Sequence, residues 1–477
     1  MHGATSVARG PTARHPAQVD IPASVQALLE RLWANGQAAY VVGGSLRDAM
    51  LDRTPADWDL ATDARPDRVL AIFPGSVYEN RFGTVAVREG DQVHEITTFR
   101  IDHDYADFRR PHRVEFGDRI EDDLARRDFT VNAMAWGADR GVAMDRPGAA
   151  PGVSAPAARL VDPFDGAADV ERRLLRAVGE PSKRFEEDAL RMVRAVRLAA
   201  TLGFEIEPAT LAALRERAPL VTHLSGERIA AELEKLLAAD RPSVGLRLTA
   251  DTGLLAVISP ELDAQRGVPQ NKIEGEDLWD HTVRSVDAAP ADRPVVRLAA
   301  LLHDLGKPAT IDEGPFRGHE SVGADLATAL LERWHLPNAV IERVVRLVRQ
   351  HMFTYDPDWG DAGVRRFIKR VGRDALEDLF ALRAADNIGS GLPADAGRID
   401  ELRDRVHAQL EASAVLDRGG LAVDGDDLMT ELRVPQGPTL GRILDRLLEQ
   451  VIADPALNDR ATLLLLAASM LADEAER

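Results

Sequence analysis

Near residue 166 the apolar residues of this 477-residue chain change period. Before that point, short runs such as AAYVV (38–42), GTVAVRE (from Gly83) and VHEITTF (from Val93) have the length and content of strands, with a helix opened by Pro66 among them. After it, apolar residues recur at i, i+3 and i+4 almost to the C-terminus. Strands must pair with strands, and helices must cover one another's apolar stripes. The pattern therefore predicts an α+β head with a mixed sheet, followed by a long all-helical neck and body. Composition suggests the boundaries: a disordered tail over 1–20, the head over 21–145, a Gly-, Ala- and Pro-rich insertion at 141–158, a helical neck over 159–270, a further helical domain over 276–400 and a helical tail over 401–477.

There is no cysteine, so the chain has no disulfide, thiolate nucleophile or sulfur-ligated zinc, and any metal must sit on oxygen or imidazole. The first twenty residues lack the apolar run of a signal peptide, and no segment approaches the ~18 apolar residues of a membrane span. These features predict a cytoplasmic enzyme with no membrane partner. The net charge of −19 argues against a surface that binds nucleic acid everywhere. Its distribution leaves room for a local groove. Residues 1–200 hold 27 Lys and Arg against 31 Asp and Glu, whereas the remaining 277 hold 32 against 47.

Two short elements in the head point to phosphoryl transfer. GGSLRD (43–48) follows the AAYVV strand, and DWD (57–59) opens another. Strand side chains alternate, so Asp57 and Asp59 are expected on one face, where two carboxylates repel unless a cation joins them. Such oxygen ligands suit Mg²⁺, which completes its shell with water and phosphate. Gly43 and Gly44 allow close approach to a triphosphate, and the helix start beside them offers N–H donors. Alone, either element is weak, since most DxD pairs are solvated surface acids and most GG pairs are turns. The spacing and order are the stronger signal.

On these residues the chain resembles the DNA polymerase β nucleotidyltransferase superfamily, and within it the class II tRNA CCA-adding enzymes and bacterial poly(A) polymerases. The resemblance implies a polymerase-β-like head in which GGxxRD and DxD form the metal and triphosphate site, implicating Arg47, Asp57 and Asp59. The superfamily's third carboxylate, from a neighbouring strand, would be Glu95. RRDFTVNAMAW (126–136) matches the family's RRDFTxNA element. Arg126 and Arg127 can neutralise phosphate, and Asp128 and Asn132, read as four apart on a helix, can share a ribose. The plainer alternative is an amphipathic helix whose charges pair on the surface.

In RFEEDALRMVRAVRLAATLGF (184–204), Arg191, Arg194 and Arg197 form a stripe at three-residue spacing on a presumed helix, and the family's EDxxR element falls on Glu187, Asp188 and Arg191. Cytosine and adenine each present an amino donor beside a ring-nitrogen acceptor, whereas uracil and guanine present the reverse. The resemblance implies that Asp188 and Arg191 act as a protein template for CTP and ATP.

The helical body carries His281, His303, Asp304, His319, His351 and Asp386, in the H…HD…H…H…D order of HD-domain phosphohydrolases. A lone buried histidine is usually a satisfied core residue, but this ordered set suits one or two divalent ions of unspecified identity. Lys307, four residues after His303, can reach a phosphate there. Three functions stay open at this point. One is addition of C, C and A to the 3′ end and acceptor arm of tRNA from CTP and ATP. The second is poly(A) or partial CC- or A-addition, and the third an HD phosphohydrolase with an RNA-binding head.

Overall fold

The computed structural model describes residues 20–78, 83–105, 111–139, 158–270, 272–313, 316–412 and 415–475. The expected tail (1–20) and insertion (141–158) fall almost wholly outside these residues. The chain divides into two units, Met1–Ile258 and Ser259–Arg477.

The first unit is built on a seven-stranded mixed sheet. In chain order its strands are β1 (Ala39–Val42), β2 (Leu60–Thr62), β3 (Val77–Tyr78), β4 (Thr84–Glu89) and β5 (Gln92–Thr98). A separate hairpin of β6 (Arg100–Tyr105) and β7 (Pro111–Phe116) follows, and β8 (Ala135–Ala138) and β9 (Arg159–Val161) return to the sheet. The sheet order is β3-β4-β5-β2-β1-β8-β9, with β2 and β5 parallel and the other pairs antiparallel. Central β1 is buried along its whole length, as its uninterrupted apolar sequence requires. Helix α1 (Ala23–Ala34) buries Val25, Leu28, Leu29 and Leu32, which is the i, i+3, i+4, i+7 face of an amphipathic helix. Short helices α2 (Gly44–Met50), α3 (Pro66–Ile72, with Pro66 in its first turn) and α4 (Ile120–Ala125) connect the strands.

Seven helices complete this unit: α5 (Gly166–Arg172), α6 (Pro181–Glu187), α7 (Leu190–Leu202), α8 (Pro208–Arg217), α9 (Gly226–Leu237), α10 (Pro242–Asp251) and α11 (Leu254–Ile258).

The second unit is helical throughout the described residues. After α12 (Pro260–Asp263) come helices α13 (Leu278–Ala288), α14 (Pro294–Leu302), α15 (His319–Arg333), α16 (Asn338–Gln350), α17 (Asp361–Val371) and α18 (Leu376–Gly389), and all of these but α17 carry or adjoin the histidine set. Helices α19 (Ile399–Glu411), α20 (Gly425–Leu432), α21 (Pro438–Ala453) and α22 (Arg460–Ala475) follow, and the last three share an apolar core that includes Leu428, Leu447 and Leu463. A mixed-sheet head followed by a helical body agrees with the sequence expectation. No helix among the described residues is long and apolar enough to cross a membrane.

Candidate active site and a histidine-rich centre

The turn from β1 into α2 is shaped by what stands opposite it. Gly43 has φ of 78°, and a Cβ there would lie 2.7 Å from an Arg127 guanidinium nitrogen and 3.9 Å from Asp59 Oδ2. Only glycine brings this backbone so close to both groups. Asp57 and Asp59 do not lie within β2, as the sequence reading had it. The ladder begins at Leu60, and the DWD segment is its extended approach, joined to β1 by the Val42 N–H donating to Asp59 O at 3.0 Å. Burial pushes the Asp59 carboxyl up from its ordinary range, the charge of Asp57 adds to this, and Arg127 opposes both. Glu95 lies in β5, whose parallel register pairs Ile96 with Leu60. Glu95 precedes Ile96 as Asp59 precedes Leu60, and its side chain is exposed.

A cavity of about 510 Å³ opens here. Gly43, Gly44, Arg47, Asp59, Arg126 and Arg127 line one part, and Asp128, Asn132, Asp188, Arg191, Arg194 and Arg197 line the rest together with Leu190, Leu198 and Arg228. Asp57 and Glu95 are not among the lining residues.

The structure corrects two local readings. Residues 126–136 are not an α-helix. α4 ends at Ala125, Phe129 bridges to Ala177 in extended form, and a single 3₁₀ turn spans Thr130–Asn132. The cause is local capture of the backbone, because Asp128 accepts the next residue's N–H at 2.8 Å while the fully buried Phe129 anchors the strand-like bridge. Asp128 and Asn132 still meet, with Asn132 Nδ2 donating to Asp128 Oδ1 at 3.0 Å, and Arg47 donates to Asn132 Oδ1 at 2.5 Å. Arg126 and Arg127 both grip buried Asp123, at 2.6 and 3.2 Å.

The second correction concerns Asp188, which interrupts the presumed single helix. It sits in extended conformation between α6 and α7, where its carboxylate accepts the Leu190 N–H at 3.0 Å. Its partner is therefore not Arg191 but Arg228, whose Nη2 donates to both carboxylate oxygens at 3.1 and 2.8 Å. Arg191 instead pairs with Glu187 at 2.6 Å, and Arg194 forks onto Asp128 at 2.8 and 2.7 Å. Arg197 pairs with Glu232 at 2.5 Å. Burial works to raise the Asp128 pKa, but Arg194 and Asn132 hold it well below the usual carboxylate range. Sequence reasoning missed Asp123, Arg228 and Glu232. The last two stand four apart on α9, a spacing that places them on one helix face and was readable in GERIAAEL.

In the second unit all six candidate ligands converge. His303 and Asp304 follow α14, His319 opens α15, His351 follows α16, and His281 and Asp386 come from α13 and α18. Gly306 makes this possible, since a Cβ there would lie 2.2 Å from the His319 carbonyl oxygen. His281 Nε2 lies 3.1 Å from His303 Nε2, and His319 Nε2 lies 3.2 Å from His351 Nε2. Asp304 reaches all four rings, at 3.2–3.6 Å. Burial would lower the His303 pKa, yet Asp304 and Asp386 outweigh it and raise it to about 9. The same histidines, with Lys307 beside Asp304, hold both carboxylates well below their usual range despite burial. Buried imidazoles and carboxylates brought together in this way fit a divalent cation. A cavity of about 830 Å³ leads to it past Lys272, Lys307 and Arg383.

Three family models match the chain: the poly A polymerase head domain over 39–176, the probable RNA and SrmB-binding site of polymerase A over 203–266, and the HD domain over 272–389. The CCA-adding enzyme of Geobacillus stearothermophilus is 32% identical over 434 residues, covering 91% of this chain and 93% of that one. That of Geobacillus thermodenitrificans is 34% identical, with the same coverage. The chain belongs to the CCA-adding enzyme family. Among solved structures, Bacillus stearothermophilus CCA-adding enzyme in complex with CTP superposes with a TM-score of 0.68 at 29% identity, covering 96% of this chain and all of that one. Thermotoga maritima CCA-adding enzyme, complexed with tRNA-CCA, shares the fold at a TM-score of 0.55 and 17% identity. In this family member Asp188 and the arginine stripe of α7 fall between the first two matched spans.

Proposed function

We propose that this chain adds C, C and A to the 3′ end of tRNA, using CTP and ATP without a nucleic-acid template. The observation that carries this reading is the single cavity that joins the glycine turn and Asp59 to the arginine-lined wall of α7. Asp57 and Asp59, with Glu95 alongside, are assigned the metal-binding role. Mg²⁺ there would stabilise charge on the α-phosphate as the terminal ribose hydroxyl attacks and pyrophosphate leaves. Gly43, Gly44 and Arg47 flank the triphosphate, and Arg126, Asp128 and Asn132 the sugar. Asp188 and Arg191 are assigned to the base, with Arg194 and Arg197 beside them. A carboxylate has about four acceptor positions, and Leu190 and Arg228 occupy three on Asp188, leaving room for an exocyclic amino group. The reading divides the chain into head (21–145), neck (159–270), HD domain (276–400) and tail (401–477), working in the cytoplasm where tRNA is matured.

The test is to incubate tRNA lacking its last three nucleotides with each triphosphate alone. CTP should yield two additions and then stop, while UTP and GTP should yield none. An unbroken run of A from ATP alone would favour poly(A) synthesis instead.

A second activity has its own supporting observation, the six convergent ligands beneath three cationic side chains. The HD domain is assigned a metal-dependent phosphoester hydrolysis, such as removal of a terminal or 2′,3′-cyclic phosphate that blocks an RNA end. Lys272, Lys307 and Arg383 would hold the phosphate, and a divalent ion would activate water. Assay of phosphatase and cyclic phosphodiesterase activity with Mg²⁺, Mn²⁺, Ni²⁺ and Fe²⁺ tests it, and inactivity with all four would remove this second function.

A further inference from the structure

We propose that the open face of the sheet corner formed by β3, β4 and β5 is the track on which the single-stranded 3′ end of the acceptor RNA lies as it reaches the reaction centre. The inference rests on the nucleotide-addition reading given above and assigns the acceptor a surface which that reading leaves open. Cross-strand partners share one face of a sheet. The registers Val77↔Ala86 and Ala86↔Glu95 therefore set Val77, Ala86 and Glu95 in one row, and Arg88↔Val93 is the next row on the same face, two residues along β4 and β5. Burial alternates accordingly, with Val85, Val87, His94 and Ile96 turned into the core while Arg88, Val93 and Glu95 are exposed. Val77 and Val93 are 63% and 56% exposed, so the face carries an open apolar strip. In the other direction it ends in Thr84 and Thr97, whose hydroxyls bond each other at 3.2 Å.

The geometry of the reaction says what covers this strip. In phosphoryl transfer the attacking and leaving oxygens stand roughly in line, so the acceptor hydroxyl enters from the side away from the pyrophosphate. The nucleotide's cavity has Asp59 in its wall, whereas Asp57 and Glu95 are exposed and lie outside its lining. Leu60, the first residue of β2, pairs with Ile96, so Gln92–Glu95 run past the start of β2 at the end where Asp57 and Asp59 enter. An RNA strand whose terminal ribose meets these acids places its preceding nucleotides on what borders Glu95. That is Ala86, about 5 Å across the sheet, and Val93, about 7 Å along the strand, with Val77 beyond. The bases bring flat apolar faces to the strip. Arg88 meets the phosphates, and it and Glu95 are the charged side chains of this face among the described residues of the three strands. Aliphatic side chains and one guanidinium hold a strand without demanding a particular base. Such tolerance suits an acceptor whose last nucleotide changes with every addition.

The test is steady-state extension of tRNA lacking its last three nucleotides by the full chain carrying Val93→Asp or Arg88→Gln. Val93→Asp should raise the KM for tRNA at least about tenfold, with the KM for CTP and kcat within about twofold of the parent. Arg88→Gln should raise the tRNA KM and lower the slope of its logarithm against log salt concentration by about 0.7, the loss of one phosphate contact on a single strand. Tyr78→Ser serves as the control, because Tyr78 is exposed on the same corner but pairs with Val85 and so belongs to the opposite face. An unchanged tRNA KM in both variants, an equal rise in the CTP KM, or the same rise in Tyr78→Ser overturns the track and leaves nucleotide addition standing. A parent that extends no tRNA overturns both.

Discussion

Asp59 is half-buried beside the exposed Asp57, and burial first, with the neighbouring charge of Asp57 second, raises its pKa. If their task is to share a cation, neutralising either one removes the function and relieves the repulsion. Asp57→Asn and Asp59→Asn should each slow nucleotide addition at least about a hundredfold while leaving the melting temperature equal or higher. Extension kinetics and thermal melts check this, and a rate near wild type in both would remove these residues from the reaction. Arg191 poses a different question, because its guanidinium is tied to Glu187 and to the carbonyls of Arg184 and Arg126 while lining the cavity. If it reads the base, Arg191→Ala should reduce the kcat/KM ratio of CTP to UTP by about tenfold or more. An equal loss for all four triphosphates would show that it serves the phosphates or the fold.

At the level of elements, α9 acts as a clamp on the nucleotide-side wall. Arg228 holds Asp188 and, one turn later, buried Glu232 neutralises Arg197 and lies 3.6 Å from Arg194. Removing one partner of a buried ion pair leaves the other charge uncompensated, so Glu232→Ala should destabilise the first unit by about 3 kcal/mol. Glu232→Gln, which keeps the hydrogen-bonding shape, should cost less, as read by urea unfolding. Asp128 gives a pH signature. Its folded pKa lies below the ordinary value, so the stabilisation from its Arg194 pair is complete above pH ~4 and is lost as pH falls further toward the depressed value. Asp128→Asn should flatten the acid limb of stability against pH, and an unchanged limb would contradict the pairing.

These elements also mark how far the sequence could be read. Four strands followed from period, α3 from Pro66 and the helical character of the body from its i, i+3, i+4 spacing, while β3 and β6–β9 did not; every nucleotide-side candidate except Asp57 and Glu95 lines the same cavity. What failed was local. Two aspartates, Asp128 and Asp188, capture nearby backbone N–H groups and break helices that periodicity alone would continue. The pairing of Asp188 with Arg228, 40 residues away, depends on how α9 packs on α7, which no local pattern encodes.

On the scale of the whole molecule, the chain carries two sites of opposite ligand chemistry. The head offers carboxylates, which suit Mg²⁺, and the HD domain offers four imidazoles, which suit transition metals. The two activities should therefore separate by metal. After stripping with a chelator, Mg²⁺ alone should restore nucleotide addition but not phosphoester hydrolysis, which should need Mn²⁺, Ni²⁺ or Fe²⁺. Recovery of both with Mg²⁺ alone would contradict the assignment. The acidic balance of −19 fits a protein that meets RNA along an arginine-lined groove rather than over its whole surface.

Template-free addition of a defined sequence is tested most directly by offering truncated tRNA a mixture of all four triphosphates with Mg²⁺ and sequencing the 3′ ends. The products should end in CCA and grow no further. Runs of A, products that halt at C or CC with ATP present, or ends containing U or G would contradict it.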